Sequence, residues 1–328
     1  GQTILVLTDH NTIRMNPSSD QCEFVRLDVC PARLIRGRRG IALVPAVTVT
    51  PDAVVASPIP IEQPANLEPG LPILGADAMN GAEVLLRCTG LTRRWGGLVA
   101  VSDVSLELQR GTVHAVIGTN GAGKSTLINM LSGELAPSAG RIELLGQDVT
   151  AWPQPKRARA GLGRSYQRNT IYPEFSVLEN CRLAAQARWQ RPWAWWQAAE
   201  RCSDSNASAR EAAASLGLTE QLELLAGALS HGRKRQLEIA MCLATAPEVL
   251  LLDEPLAGMG AEETERMLDL LANLKRGHAI LLVEHDMDAV FRVADRITVM
   301  VDGSVLASGT PDEVRHNQQV QDVYLGGD

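Results

Sequence analysis

Three short stretches carry residue types that can do phosphate chemistry. Gly118-Thr-Asn-Gly-Ala-Gly-Lys-Ser-Thr126 fits the pattern G-x-x-x-x-G-K-[ST] and falls between a strand pattern and a helix pattern. Its glycines let backbone N–H groups approach phosphate oxygens, and a helix N-terminus behind them adds partial positive charge. Gly118, Asn120, Gly121, Ala122, Gly123, Lys124, Ser125 and Thr126 are therefore expected to cradle a nucleoside triphosphate. Lys124 is expected to reach the β- and γ-phosphates and Ser125 to ligate Mg²⁺. A chance glycine-rich turn is the plain alternative.

Val249-Leu-Leu-Leu-Asp-Glu-Pro255 puts two carboxylates at the end of an apolar run. Asp253 can hold Mg²⁺ directly or through water, and Glu254 can polarise a water toward the γ-phosphate. Taken alone, a strand followed by an acidic turn would be common. Leu229-Ser-His-Gly-Arg-Lys-Arg-Gln236 opens a helix pattern, where a Ser hydroxyl and exposed N–H groups can meet an anion. The plain alternative is that Ser230 merely caps its own helix.

The elements that must position these residues are legible from Glu83 onward. Val104, Leu106 and Leu108 alternate with polar residues, the period of a half-buried strand. Val113 to Ile117 reads as a strand, Lys124 to Ser132 as a helix, and Arg141 to Leu145 as a strand. A middle region rich in Ala, Leu, Gln and Arg reads helical, and Gly232 to Ala244 is a helix with Leu237, Ala240, Met241 and Ala244 on one face. Val249 to Leu252 and Ala279 to Val283 are unbroken apolar runs, typical of parallel strands buried on both faces. Ile297–Val301 and Ser304–Ala307 flank Asp302-Gly303, a two-residue hairpin signal. Strands alternating with helices give an α/β fold, interrupted by a helical insert at about 172–245 and followed by a C-terminal tail at about 311–328. There is no internal repeat, so one nucleotide-binding domain is expected over residues 83–328.

Residues 1–82 differ. Pro recurs at 31, 45, 51, 58, 60, 64, 69 and 72, and no strand or helix period lasts. This stretch reads as an extended or disordered extension, foreign to the domain behind it, with Met79 as a plausible natural start.

Composition narrows the function classes. The 328 residues are 45% hydrophobic, enough for a packed core. A net charge of −7 argues against a nucleic-acid partner held by bulk electrostatics. Six scattered cysteines without a C-x-x-C pair fit reduced thiols better than a disulfide or zinc framework. No run approaches the ~20 apolar residues of a membrane span, and the N-terminus lacks signal-peptide order. Any membrane role is expected to come through a partner.

The order of the P-loop, the signature-like Leu229–Arg233, Asp253-Glu254 and then Glu284-His285-Asp286 resembles the ABC ATPases over about Glu83 to Asp328. The resemblance implies a P-loop NTPase (RecA-like) core with an antiparallel β subdomain and the helical insert. It implies further that Gln167, in Arg164-Ser-Tyr-Gln-Arg168, touches the metal or the attacking water, and that His285 is a switch histidine at the γ-phosphate. Trp95, ahead of Gly96-Gly97, takes the place of the aromatic that stacks on adenine, with a solvent-edge Trp in a turn as the bland alternative. Ser230, His231, Gly232 and Arg233 would act in trans, across a dimer of ATPase subunits.

The sequence departs from the general pattern at His231, where Gly is usual, at Arg233, where Gln is usual, and at Gly260, where an Asp is often found. Thr119 replaces a frequent Pro. Phrases such as Leu-Ser-His-Gly, Leu-Ala-Gly-Met and the terminal Val-Tyr-Leu-Gly look like the branched-chain (hydrophobic) amino-acid uptake branch, with urea and short-chain amide importers as near relatives. That implies two transmembrane permease subunits, a second ATPase subunit (identical or paralogous), a periplasmic binding protein acting indirectly, and a peripheral position on the cytoplasmic face of the inner membrane. A soluble non-transport ABC ATPase is the alternative of another class, although neither a coiled-coil insert nor tandem domains occur. A P-loop kinase or GTPase would leave the signature and His285 without a role. Trp189, Trp193, Trp195 and Trp196 fall in the insert, either near a membrane partner or packed within it.

Overall fold

The chain forms two units, residues 1–76 and 77–328. The computed structural model describes residues 83–166, 170–189 and 201–325, together with five strand segments among the first 44 residues. In the first unit β1 (Ile4–Thr8), β2 (Asn11–Met15) and β3 (Cys22–Val25) form an antiparallel sheet, and β4 (Arg33–Gly37) pairs with β5 (Gly40–Val44). Sequence patterning gives no lasting strand period there. The difference has a simple cause: the strands are four or five residues long and contain no proline, so each is too short to show a period. Met79 lies outside the described residues.

The second unit begins with two long strands, β6 (Val84–Trp95) and β7 (Leu98–Gln109). They join β9 (Ala139–Leu144) and the two-residue β10 (Gln147–Asp148) in an antiparallel sheet of order β10-β9-β6-β7. A six-stranded sheet lies beside it in the order β11-β12-β13-β8-β14-β15. Its members are β8 (Val113–Gly118), β11 (Leu162–Arg164), β12 (Val249–Asp253), β13 (Ala279–Val283), β14 (Arg296–Val301) and β15 (Ser304–Gly309). All pair in parallel except β14 with β15, the hairpin expected at Asp302-Gly303. Both turn residues have positive φ, 48° and 81°, the signature of a type I′ turn.

Strands β8, β12 and β13 are buried along their whole length without alternation because both of their faces are covered, and apart from His114 and Asp253 they carry only apolar residues and a glycine. Leu250, Leu252, Ile280 and Leu282 face one core, which they share with the helical insert. Leu251, Leu281 and Val283 face the other, which they share with the antiparallel sheet and α1 (Lys124–Ser132). The insert holds α3 (Val177–Trp189), α4 (Ser203–Ser215) and α5 (His231–Leu243), packed on one another. The short α2 (Gln154–Arg159) precedes β11, α6 (Ala261–Leu274) and α7 (Met287–Val293) follow β12 and β13, and α8 (Pro311–Arg315) and α9 (Gln318–Leu325) form the tail. Trp193, Trp195 and Trp196 lie outside the described residues, and Trp189 is exposed at the end of α3. Among the described residues no helix is long and apolar enough to cross a membrane.

Candidate functional site

Four of the expected segments leave the same edge of the parallel sheet. The loop after β8 carries Gly118 to Gly123, β11 leads toward Gln167, β12 ends on Asp253, and β13 ends just before Glu284 and His285. Ligands of open α/β sheets bind outside the carboxyl ends of the strands, so the topology gathers residues that are more than a hundred positions apart.

The loop's course depends on missing side chains. A Cβ on Gly118 would lie 2.3 Å from the Met300 carbonyl oxygen, and one on Gly123 would lie 2.5 Å from that of Ala100. Gly121 and Gly123 also hold φ of +84° and +95°. Ala122 N–H donates to Thr119 O at 3.1 Å and tightens the turn, which leaves Asn120 and Gly121 exposed at its tip. No side chain caps α1, and its first turn holds no acidic residue. The N–H groups of Lys124, Ser125 and Thr126 therefore precede any helical acceptor and point a positive dipole end outward. Lys124 is buried, and its Nζ donates to Gly118 O at 2.6 Å and Thr119 O at 3.0 Å. Burial lowers its pKa, and the carboxylates of Glu254 and Asp253 partly restore it.

Asp253 is 3% exposed, and its Oδ1 has no hydrogen-bond partner. Its N–H donates to Ser165 Oγ at 3.2 Å. Desolvation raises its pKa, opposed by the positive charge of Arg164. A buried carboxylate oxygen without a partner is costly unless a cation meets it. Together with the exposed Ser125 hydroxyl this donor set fits Mg²⁺, which takes few protein oxygens and completes its shell with phosphate and water. Among the described residues no group of three His, Cys, Asp or Glu side chains gathers as an all-protein metal cage.

Glu254 sits at φ +49°, a left-handed conformation that a side chain rarely adopts, held by its N–H donating to Val283 O at 2.9 Å. The strained turn is braced by Glu284, which stands in the Glu284-His285-Asp286 motif but to which sequence reasoning assigns no role. Its Oε1 accepts from Leu256 N–H at 2.8 Å, and its Oε2 accepts from His285 N–H at 3.3 Å. Burial raises the Glu284 pKa. The His285 side chain is 64% exposed, with Nδ1 3.7 Å from Glu284 Oε2. Gln167 lies outside the described residues. Trp95 ends β6 as a half-exposed ring, and the Arg93 guanidinium lies 4.9 Å from its centroid on one face.

The signature segment is arranged differently. Ser230 is the N-cap of α5, with Oγ accepting from Arg233 N–H at 3.3 Å. The His231 ring packs on Gly258, where a Cβ would meet its Cε1 at 3.2 Å. A Cβ on Gly232 would lie 2.5 Å from Glu263 Oε1, so a carboxylate of α6 rests against the helix head. Arg233 donates to Gly217 O and to Gln236 Oε1, each at 3.0 Å. A small cleft joins Ser230, Gly232 and Arg233 to Met259, Glu263 and Arg266, and no P-loop residue lines it.

Two supporting residues escape sequence reasoning. Arg164 donates to Asn129 Oδ1 and to Ser132 Oγ, both at 2.6 Å, pinning β11 to α1. Arg157 is fully buried, and its guanidinium donates to Met130 O and Leu131 O at 2.8 Å, satisfying the C-terminal carbonyls of α1. Burial brings its pKa down to about 10. The only sequence signal for Arg164 is its place in Arg164-Ser-Tyr-Gln-Arg168 with Gln167, and no motif marks Arg157.

The chain is similar to known proteins. Residues 101–257 match the ABC transporter family, and residues 304–328 match the family described as branched-chain amino acid ATP-binding cassette transporter. The chain is 40% identical over 255 residues to the high-affinity branched-chain amino acid transport ATP-binding protein LivG of Escherichia coli (strain K12), covering 75% of this chain and 99% of the relative. It is 39% identical over 249 residues to BraF of Pseudomonas aeruginosa, described in the same words, covering 74% and 98%. The crystal structure of an ATP-binding cassette of an ABC transporter in its ADP conformation superposes with a TM-score of 0.68 at 28% identity, over 74% of this chain and 99% of the other. The fold is that of an ATP-binding cassette, and the chain is an ATPase with an α/β P-loop core. The chain belongs to the family of ABC transporter ATP-binding proteins, within its branched-chain amino acid group.

Proposed function

We propose that this chain is the ATP-hydrolysing subunit of an importer for branched-chain or other hydrophobic amino acids, working on a pair of membrane permeases. The observation that carries the chemistry is the juxtaposition of an uncapped α1 and Lys124 with a buried, unpartnered Asp253 oxygen. In this reading Lys124 leaves the Gly118 and Thr119 carbonyls for phosphate oxygens, and the N–H groups of residues 119–126 bind the remaining ones. Ser125, Asp253 and Gln167 would hold Mg²⁺, which neutralises phosphate charge when bound. Glu254 orients the attacking water from its strained turn, His285 approaches the γ-phosphate, and Trp95 stacks on adenine. The names of the relatives, transport ATP-binding proteins, support both the substrate class and membrane permeases as partners. In this reading the chain sits peripherally on the cytoplasmic face of the inner membrane and reaches the periplasmic binding protein only through the permeases.

Residues 83–328 form the ATPase domain, and residues 1–82 are an extension it does not need. A chain starting at Met79 should keep its melting temperature and ATPase rate.

The second half of the active site comes from another ATPase subunit. The cleft at Ser230 contains no P-loop residue, which supports Ser230, His231, Gly232 and Arg233 acting on nucleotide held by a partner. Lys124→Ala and Ser230→Arg should each be inactive alone, yet mixed dimers should regain part of the activity, because some pair an intact P-loop with an intact signature. If the partner is a distinct ATPase, the lesions are placed one in each subunit. No recovery in either arrangement, with exchange of subunits shown, would remove the composite site.

A further inference from the structure

Arg164, Ser165 and Tyr166 follow one another at the end of β11, and each is bonded to a different part of the site. The Arg164 side chain holds Asn129 and Ser132 of α1. Ser165 Oγ accepts from the N–H of Asp253. Tyr166 O accepts from Arg235 Nη1 of α5 at 3.2 Å, and Arg164 O accepts from Cys242 Sγ of the same helix at 3.0 Å. One tripeptide thus touches the P-loop helix, the metal-site strand and the helix that Ser230 heads.

Arg235 and Glu238 lie one turn apart on α5, with side chains 10% and 2% exposed and a 2.8 Å bond between them. Arg235 Nε and Glu238 Oε1 are buried without hydrogen-bond partners. A buried ion pair with unmade bonds is no better for stability than apolar side chains of similar volume, and is often worse. The same helix buries Leu237, Ile239, Ala240 and Leu243 along with Gly232 and Gln236, a mostly apolar surround in which apolar residues would pack. Fold stability therefore does not account for the pair. The bond to Tyr166 O does, and the Arg235 charge is also felt at Asp253.

We propose that Arg235, held by Glu238, is a positioning residue that ties α5 to the end of β11, so that nucleotide at Lys124 and Asp253 and the placement of Ser230 are coupled through residues 164–166. The inference rests on the ATPase reading above. Rigid elements joined by buried polar bonds transmit a displacement, where a greasy contact would slide.

The test uses the full chain, with magnesium and ATP as the probe. The double variant Arg235→Met/Glu238→Leu removes the bond to Tyr166 while filling the space. In the native chain ATP should slow hydrogen exchange both in the 118–126 loop and in the first turns of α5. In the double variant the loop should respond as before while the α5 response is lost. Its kcat should fall about tenfold with KM within about twofold, the size of one lost charge-assisted hydrogen bond. Arg235→Lys, which keeps a donor, should lie between. A double variant with native α5 response and kcat overturns the proposal. So does one that melts lower and loses the loop response as well, since the pair would then only hold the fold. No loop response to ATP in the native chain would instead overturn the ATPase reading, and the coupling with it.

Discussion

At the head of α1 no side chain caps the helix, whereas at the head of α5 Ser230 does. Around α1 the polar groups stand ready for a ligand: first-turn N–H donors, an exposed Ser125 and an unpartnered Asp253 oxygen. Around α5 they are met within the chain: Ser230 by Arg233 N–H, Arg233 by Gly217 O, and the helix head by the Glu263 carboxylate. A helix N-terminus attracts an anion in both places, but one leaves that position to phosphate and the other fills it with its own carboxylate. The difference teaches that the P-loop half is built to bind nucleotide by itself. On the composite site proposed above, the signature half would have to exchange internal partners for phosphate, as suits a half-site that engages only on assembly.

The sharpest way to break the comparison is through the carboxylate beside the P-loop. Glu254→Gln should retain ATP binding and lose about 10²- to 10³-fold in turnover, since a neutral amide cannot draw the proton from water. Lys124→Ala should weaken ATP binding itself. Equilibrium binding and steady-state hydrolysis separate the two, and near-native turnover in Glu254→Gln would end its assignment.

Two glycines compare the halves directly. In Gly118→Ala the new methyl meets the Met300 carbonyl, which is backbone, and the site cannot yield. A loss of about 1–3 kcal/mol is expected, seen as a drop of several degrees in melting temperature. In Gly232→Ala the methyl meets the end of the Glu263 side chain, which can swing away, so the melting temperature should barely change. Equal losses at both positions would show the two halves to be equally rigid.

Trp95 tests the reach of the P-loop half. Stacking of a base on an aromatic ring is worth ~1–3 kcal/mol, so Trp95→Ala should weaken ATP about tenfold, while Trp95→Phe should be mild. An unchanged affinity in Trp95→Ala would leave the ring as a turn residue backed by Arg93.

The smallest effect is expected at Glu263. Glu263→Gln removes the internal anion from the head of α5, a helix-dipole contribution of about 0.3–1 kcal/mol. ATP-driven association of ATPase subunits should tighten about two- to fivefold, read from the ATP dependence of dimer formation. Weaker association would mean that Glu263 supports the signature instead of competing with phosphate there.

Much of this protein is legible in the sequence because the responsible physics is local. Lys124–Ser132 is the helix the pattern marks, Val249 and Ala279 begin the strands their apolar runs announce, and Asp302-Gly303 makes the turn its residue types require. Periodicity, glycine conformation and turn chemistry act over a few residues, so a single chain displays them. The motifs name Asp253, Glu254 and Lys124 for the same reason. What only the tertiary structure decided are the partners. Arg157 reads as one more charge in a polar stretch and proves to be buried against the end of α1. Ser165 meets Asp253 across 88 positions, and Arg235 reaches Tyr166 across 69. Which polar group is satisfied, and which is left for a ligand, depends on burial and on long-range hydrogen bonds, and neither exists until the sheet and the insert have closed around them.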